Sequence, residues 1–189
     1  MLKADELASL GELAAQVIRQ AVMGSSAATI PTDNARFAAP GASFVTLKQV
    51  GRLRGCIGTL EARRALRDDV AANALAAALH DPRFAPLARN ELPYTELDIA
   101  VLSTPSTLTF EDEQDFFRQL RPGFDGLIVE HQGRRATYLP SVWEQLPAAA
   151  MFVRELRRKA GIENSVALTA LRVQRYTTQH SRPRPLLSV

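Results

Sequence analysis

Cysteine is nearly missing from this chain of 189 residues: there is one, Cys56. A single cysteine cannot form an internal disulfide, so nothing points to an oxidising compartment. Nor can it hold an iron–sulfur cluster, which takes several thiolates. The three histidines are far apart, and without a Cys/His cluster no zinc site is expected. Aromatic residues make up only 6% of the chain, and no basic run tracks along it. A nucleic-acid-binding module is therefore the weakest of the alternative readings, because it needs stacking platforms and a basic path. No apolar stretch approaches the length of a membrane span. The first residues lack a basic start followed by an apolar run, so no secretory signal is expected. The cytoplasm is the default. A nucleophile elbow is absent too, as are a phosphate-cradling glycine loop and a dinucleotide fingerprint.

What is present is ordinary globular composition, with 46% apolar and 23% charged residues and a net charge of +3. That length suits one core, or two small subdomains sharing one. The charge gives mild attraction for anions and no more. Residues Asp5 to Met23 read as a helix capped by Asp5, with Leu7, Leu10, Ala14, Val17, Ile18 and Ala21 on one stripe. The stretch from Gly24 to Gly41 reads as a loop and candidate flap. An alanine-rich helix is predicted from Leu66 to Leu79, with Asp68 and Asp69 in its first turn favouring the helix dipole. A strand is predicted from Leu97 to Ser103, then a helix opened by Thr109 with Asp112 in a capping box. A second hairpin follows from Gly126 to Tyr138, turning near Gln132–Gly133. A helix then begins at Pro147 and ends at Gly161, with Val166 to Thr178 as the last strand. Separated hairpins and helices argue for an α+β fold with antiparallel sheets. The tail from His180 reads as loose.

The densest chemistry lies in Leu53-Arg54-Gly55-Cys56-Ile57-Gly58. Phe44–Gln49 and Arg52–Leu60 read as the strands of a hairpin turning at Val50–Gly51. Strict alternation puts Arg52, Arg54, Cys56 and Gly58 on one face. Cationic neighbours favour thiolate over thiol, and glycines in a strand mark close approach by a ligand or a second backbone. The bland alternative is a small buried hydrophobe between glycines that only let backbones pack. Downstream, His80-Asp81-Pro82-Arg83-Phe84 turns after the alanine-rich helix, because Pro82 disfavours a helical Asp81. Either this loop is a latch, with Asp81 accepting from exposed backbone, or Arg83 grips an anionic group, which a guanidinium suits.

The hexapeptide, together with Asp81-Pro82-Arg83-Phe84 and Pro86, resembles the AMMECR domain family, whose bacterial and archaeal members are called AmmeMemoRadiSam system protein A. The later pieces Gly123-Phe124-Asp125-Gly126-Leu127, Leu139-Pro140, Trp143 and Lys159-Ala160-Gly161 agree. The usual tryptophan after Lys-Ala-Gly is missing between Glu163 and Ala167. The resemblance implies one compact two-lobed α+β domain over residues 1–179, with the lobe boundary near 100–110 and the hexapeptide near a cleft. It implies the company of a radical SAM protein and a Memo-type protein, and no settled activity. The candidate site comprises Cys56 and Glu91 for chemistry, with Arg54, Gly55, Gly58, Asp81 and Arg83 binding a small anionic group. No metal or cofactor is expected. The competing reading is a non-catalytic scaffold or substrate-presenting partner.

Overall fold

A computed structural model describes residues 1–24 and 34–187. In chain order the elements are α1 (Ala4–Met23), α2 (Ala35–Ala38), β1 (Pro40–Gly41), β2 (Ser43–Gln49), β3 (Arg52–Gly58), β4 (Arg64–Ala65), α3 (Leu66–Leu79) and β5 (Thr95–Leu102). They continue with β6 (Ser106–Thr107), α4 (Glu113–Gln119), β7 (Gly126–His131), β8 (Arg134–Tyr138), α5 (Ala149–Ala160), β9 (Arg172–Tyr176), β10 (Thr178–His180) and β11 (Arg184–Pro185). The fold is α+β and its strand pairs are antiparallel. The chain forms two compact units, Met1–Leu102 with the segment from Gln179 onward, and Ser103–Thr178.

In the first unit the sheet runs β10-β5-β2-β3, with β11 also on β5. Alternation along β2 and β5 sends Val45, Leu47, Leu97 and Ile99 into a core shared with α1 and α3. Leu10, Ala14 and Ile18 of α1 are fully buried there. Lys3 rather than Asp5 is the N-cap of α1, and its N–H donates to the Glu6 carboxylate at 2.7 Å. Asp5 lies inside the first turn, where a carboxylate still favours the dipole. Much of the stretch expected to be a flap, residues 25–33, lies outside the described residues. The part after it is ordered as α2 and β1, with the Asn34 side chain capping α2.

Over its described residues, up to 187, the C-terminal segment is not loose, which corrects the sequence reading. The Ser181 and Leu186 N–H groups donate to the carbonyls of Ile99 and Thr95 at 2.9 and 2.8 Å, and Leu186 is fully buried. Two prolines made the tail look unstructured, yet Pro185 sits on an edge strand, where no ladder N–H is needed.

In the second unit the sheet order is β6-β9-β7-β8. Its core joins Leu127, Val129 and Val173 to Phe116 of α4 and to Phe152 and Leu156 of α5. Trp143 stacks on Phe152 at 3.8 Å, and its Nε1 donates to the Asp125 carbonyl at 2.7 Å. The predicted elements are present with shifted ends. Asp112 is the N-cap of α4, accepting from the Asp115 N–H, so Thr109 lies outside the helix. Ala148, not Pro147, precedes α5. The last strand starts only at Arg172, because Leu168–Ala170 coils into a single turn that buries Leu168. Gly161 ends α5 in the left-handed region, and the Ile162 N–H closes back onto the Arg157 carbonyl.

Candidate functional site

β3 is the edge strand of the first sheet. Val50 and Gly51 take φ of 49° and 74°, the left-handed pair that a two-residue hairpin turn requires. Pairing with β2 runs Gln49↔Arg52 and Lys48↔Leu53, then skips to Leu47↔Gly55 and Thr46↔Cys56. Arg54 is therefore the extra residue of a β-bulge, and a bulge breaks strict alternation. Leu53, Cys56 and Gly58 share the face of Thr46 and Lys48, while Arg52 and Gly55 go with Gln49 and Leu47. The expectation that Arg52, Arg54 and Cys56 form one row is corrected by that single inserted residue.

Bulging aims Arg54 at Glu91, on a short helical turn spanning Arg89–Tyr94. Nε and Nη2 of Arg54 donate to the two carboxylate oxygens at 2.8 and 3.0 Å. Glu91 also accepts from the Ala88 N–H and the Gln49 amide. The Arg54 bonds, followed by those from Ala88 and Gln49, hold its carboxyl at about 2 against an ordinary 4.5, despite the opposing effect of burial. Glu91 was expected as an acid or base. In the structure its carboxylate clamps the bulge through Arg54.

The Asp81–Phe84 loop lies against the hexapeptide. The Cys56 N–H donates to Asp81 Oδ2 at 2.9 Å, and the Cys56 carbonyl accepts from Arg83 Nη2 at 3.0 Å. Both backbone groups of Cys56 face away from β2, where an edge strand offers them to any passing strand. Asp81 and Arg83 occupy them as a side-chain substitute for the missing strand. Arg83 is itself forked onto Asp81, through Nε at 2.9 Å and Nη2 at 2.6 Å. That pairing, with the Cys56 N–H, holds the Asp81 carboxyl well below the usual range although the side chain is only 2% exposed. Arg83 is 52% exposed and, with Arg54, lies over the Phe84 ring at 5.5 and 5.9 Å.

Cys56 is free and half-buried. Its Sγ lies 3.5 Å from the Thr46 hydroxyl. The same cross-strand row continues from Thr46 to Asp98 of β5, whose carboxylate is 3.7 Å from His180 Nδ1. Sequence reasoning missed Thr46, Asp98 and His180, since only long-range pairing brings them into line with the thiol.

The two glycines divide their roles. A Cβ on Gly55 would stand 2.2 Å from the Ala77 carbonyl oxygen of α3, so its task is close packing of strand on helix. Gly58 was expected to keep room for a ligand. Instead the ring of Phe44, its direct cross-strand partner, fills that space, 2.2 Å from where a Cβ would be.

A second polar cluster anchors the open end of this hairpin. Asp69, 1% exposed, accepts from the Ser43 N–H and hydroxyl at 2.8 and 2.7 Å. It also accepts from Thr59, Arg64 and Asn73 at 2.7, 2.9 and 2.9 Å. The available signal was Asn73 four residues after Asp69 among alanines, which puts two polar groups on one buried helix face. Among the described residues no group of three or more His, Cys, Asp or Glu side chains comes together as a metal site, and no helix is long and apolar enough to cross a membrane.

The AMMECR1 family model matches residues 11–181. The chain belongs to the AMMECR1 family. Among AMMECR1 relatives, a Methanothermobacter thermautotrophicus protein is 37% identical over 142 residues, 75% of this chain and 74% of that protein. A Saccharolobus islandicus protein is 35% identical over 147 residues, 72% of this chain but 63% of its own length. The crystal structure of an uncharacterized protein from Pyrococcus horikoshii shares the fold, with a TM-score of 0.80 over 97% of this chain and 98% of that one at 24% identity.

Proposed function

We propose that this AMMECR1-family chain is a cytoplasmic binding component. It takes a small anionic molecule at the Cys56 edge and presents it to a radical SAM enzyme acting with a Memo-type protein. The observation that carries the reading is the state of Arg83. Its Nε and Nη2 are committed to Asp81 and the Cys56 carbonyl, which fixes the guanidinium plane. Its Nη1 takes part in none of these bonds, and the side chain is half exposed. A guanidinium held in place with one terminal nitrogen free is a preorganised anion ligand. The neighbouring carboxylates Asp81 and Glu91 are engaged by arginines that lower their pKa values, which makes each a weak base. Binding is thus favoured over acid–base catalysis. The partners are those the family resemblance implies.

A second reading keeps chemistry at the thiol itself. It is favoured by the unpaired, half-buried Cys56 beside the Thr46 hydroxyl.

Alkylation tests the anion site. Iodoacetate, measured against neutral iodoacetamide, should react with Cys56 several-fold more favourably than with free cysteine, and Arg83→Gln should return the ratio to that of free cysteine. An unchanged ratio in Arg83→Gln would remove the anion-binding claim. Cys56→Ser separates the two readings. A binding component retains growth complementation and partner pull-down, whereas a thiol enzyme loses complementation and keeps the pull-down.

A further inference from the structure

A groove of about 610 Å³ in the first unit runs between the first half of α1 and the C-terminal segment. Its volume is that of a small-molecule site. The helix side is low and apolar: Ala4, Leu7, Ala8 and Gly11 line it, and these positions fall on one stripe of the helix. Three further lining residues carry full charges. Arg184 is ion-paired with Glu12 and its Nη1 donates to the Ala8 carbonyl at 3.1 Å, while its buried Nε has no hydrogen-bond partner. Asp5 and Arg182 are both exposed. Among the described residues neither side chain has a hydrogen bond or an ion pair, and no ion pair joins the two to each other. One unmatched carboxylate and one unmatched guanidinium therefore border a single apolar-floored groove.

We infer that this groove binds a zwitterion with an apolar body, an α-amino acid with a large apolar side chain. Its ammonium group faces Asp5, its carboxylate faces Arg182, and its side chain lies over Ala4 and Ala8. Each charge of the ligand then meets one unmatched charge of the wall, which a simple anion or cation cannot achieve. A plain carboxylate would leave Asp5 repelling it. A plain amine would leave Arg182 doing the same.

L-Phenylalanine is the probe, followed by two-dimensional NMR of the full chain. N-acetyl-phenylalanine keeps only the negative charge, and phenylalaninamide only the positive one. Free phenylalanine should give saturable shifts at groove residues, and each capped form should bind about tenfold more weakly. Asp5→Asn should remove the advantage of the free acid over N-acetyl-phenylalanine. Arg182→Gln should remove its advantage over phenylalaninamide. Ala8→Leu, which fills the floor, should abolish the shifts while the melting temperature of the surface variants stays near that of the parent. Absence of saturable shifts with phenylalanine, equal binding of the capped forms, or unchanged selectivity in Asp5→Asn and Arg182→Gln would each overturn the inference.

Discussion

Residues 43–58 and 126–138 are hairpins with the same turn and different surroundings. Val50–Gly51 and Gln132–Gly133 both take positive φ, with 49° at each first position. In both sheets a glycine lies under its aromatic cross-strand partner, Gly58 under Phe44 and Gly126 under Tyr176. They part at the helix. In the first unit α3 offers Ala74, Ala77 and Ala78, and the strand answers with Gly55, so backbone meets backbone. In the second unit α5 offers Phe152 and Leu156. There β8 answers with Ala136 and Tyr138, which pack into that core, Tyr138 edge-on to Phe152 at 5.4 Å. The outer edges differ too. Lys159 donates to the Thr137 carbonyl of β8, whereas Asp81 and Arg83 take both backbone groups of Cys56. A hairpin whose turn and pairing are standard becomes a site when polar groups from elsewhere in the chain replace bulk and strand neighbours.

The largest expected effect is at the anchor of the first hairpin. Asp69→Ala strands the Ser43, Thr59, Arg64 and Asn73 donors and should cost about 3–5 kcal/mol in urea unfolding. Thr137→Val in the second hairpin, which loses hydroxyl bonds to the Leu127 carbonyl and Tyr176, should cost only about 1 kcal/mol. Equal costs would erase the contrast between a polar and a packed anchor.

Next comes the strand–helix gap. Gly55→Ala drives a methyl into the Ala77 carbonyl and should cost about 3 kcal/mol. Ala136→Gly, the reverse change in the second hairpin, should cost about 1 kcal/mol. A neutral Gly55→Ala would mean that α3 does not lie against β3 as described.

Smaller again is the effect of acid. Glu91 and Asp81 both have depressed carboxyl pKa values in the folded state, so their stabilisation is fully present above the ordinary 4.5 and 3.8. It is lost as pH falls through the folded values, about 2 for Glu91 and lower for Asp81. Amide protection of β3 should therefore weaken below the ordinary carboxylate range, and Glu91→Gln should flatten that dependence. The β8 edge is met by Lys159 rather than by a carboxylate, at the Thr137 carbonyl, and its protection should not change through the same window.

Local chemistry was legible in the sequence. The Val50–Gly51 and Gln132–Gly133 turns, the Gly161 cap and most of the α1 stripe follow from residue type and spacing, and the structure has them, although Ala21 of the expected stripe is exposed. The Asp81–Phe84 loop does lie on the hexapeptide. What was not legible depends on partners distant in sequence. The Arg54 bulge appears only when β2 is laid beside β3, and it overturns a face assignment that alternation alone made natural. Asp69 looks like an ordinary first-turn acid until Ser43 and Thr59 are brought beneath it. The C-terminal segment looks loose until β5 offers it an edge.

The most direct test of the latch is amide hydrogen exchange at Cys56, whose N–H faces away from β2 and would exchange freely on an open edge. The account predicts that this amide is protected in the parent chain. In Asp81→Ala the protection should disappear at Cys56 while the Thr46 and Leu47 amides of β2 stay slow. Fast exchange at Cys56 in the parent, or protection unchanged in Asp81→Ala, would contradict it.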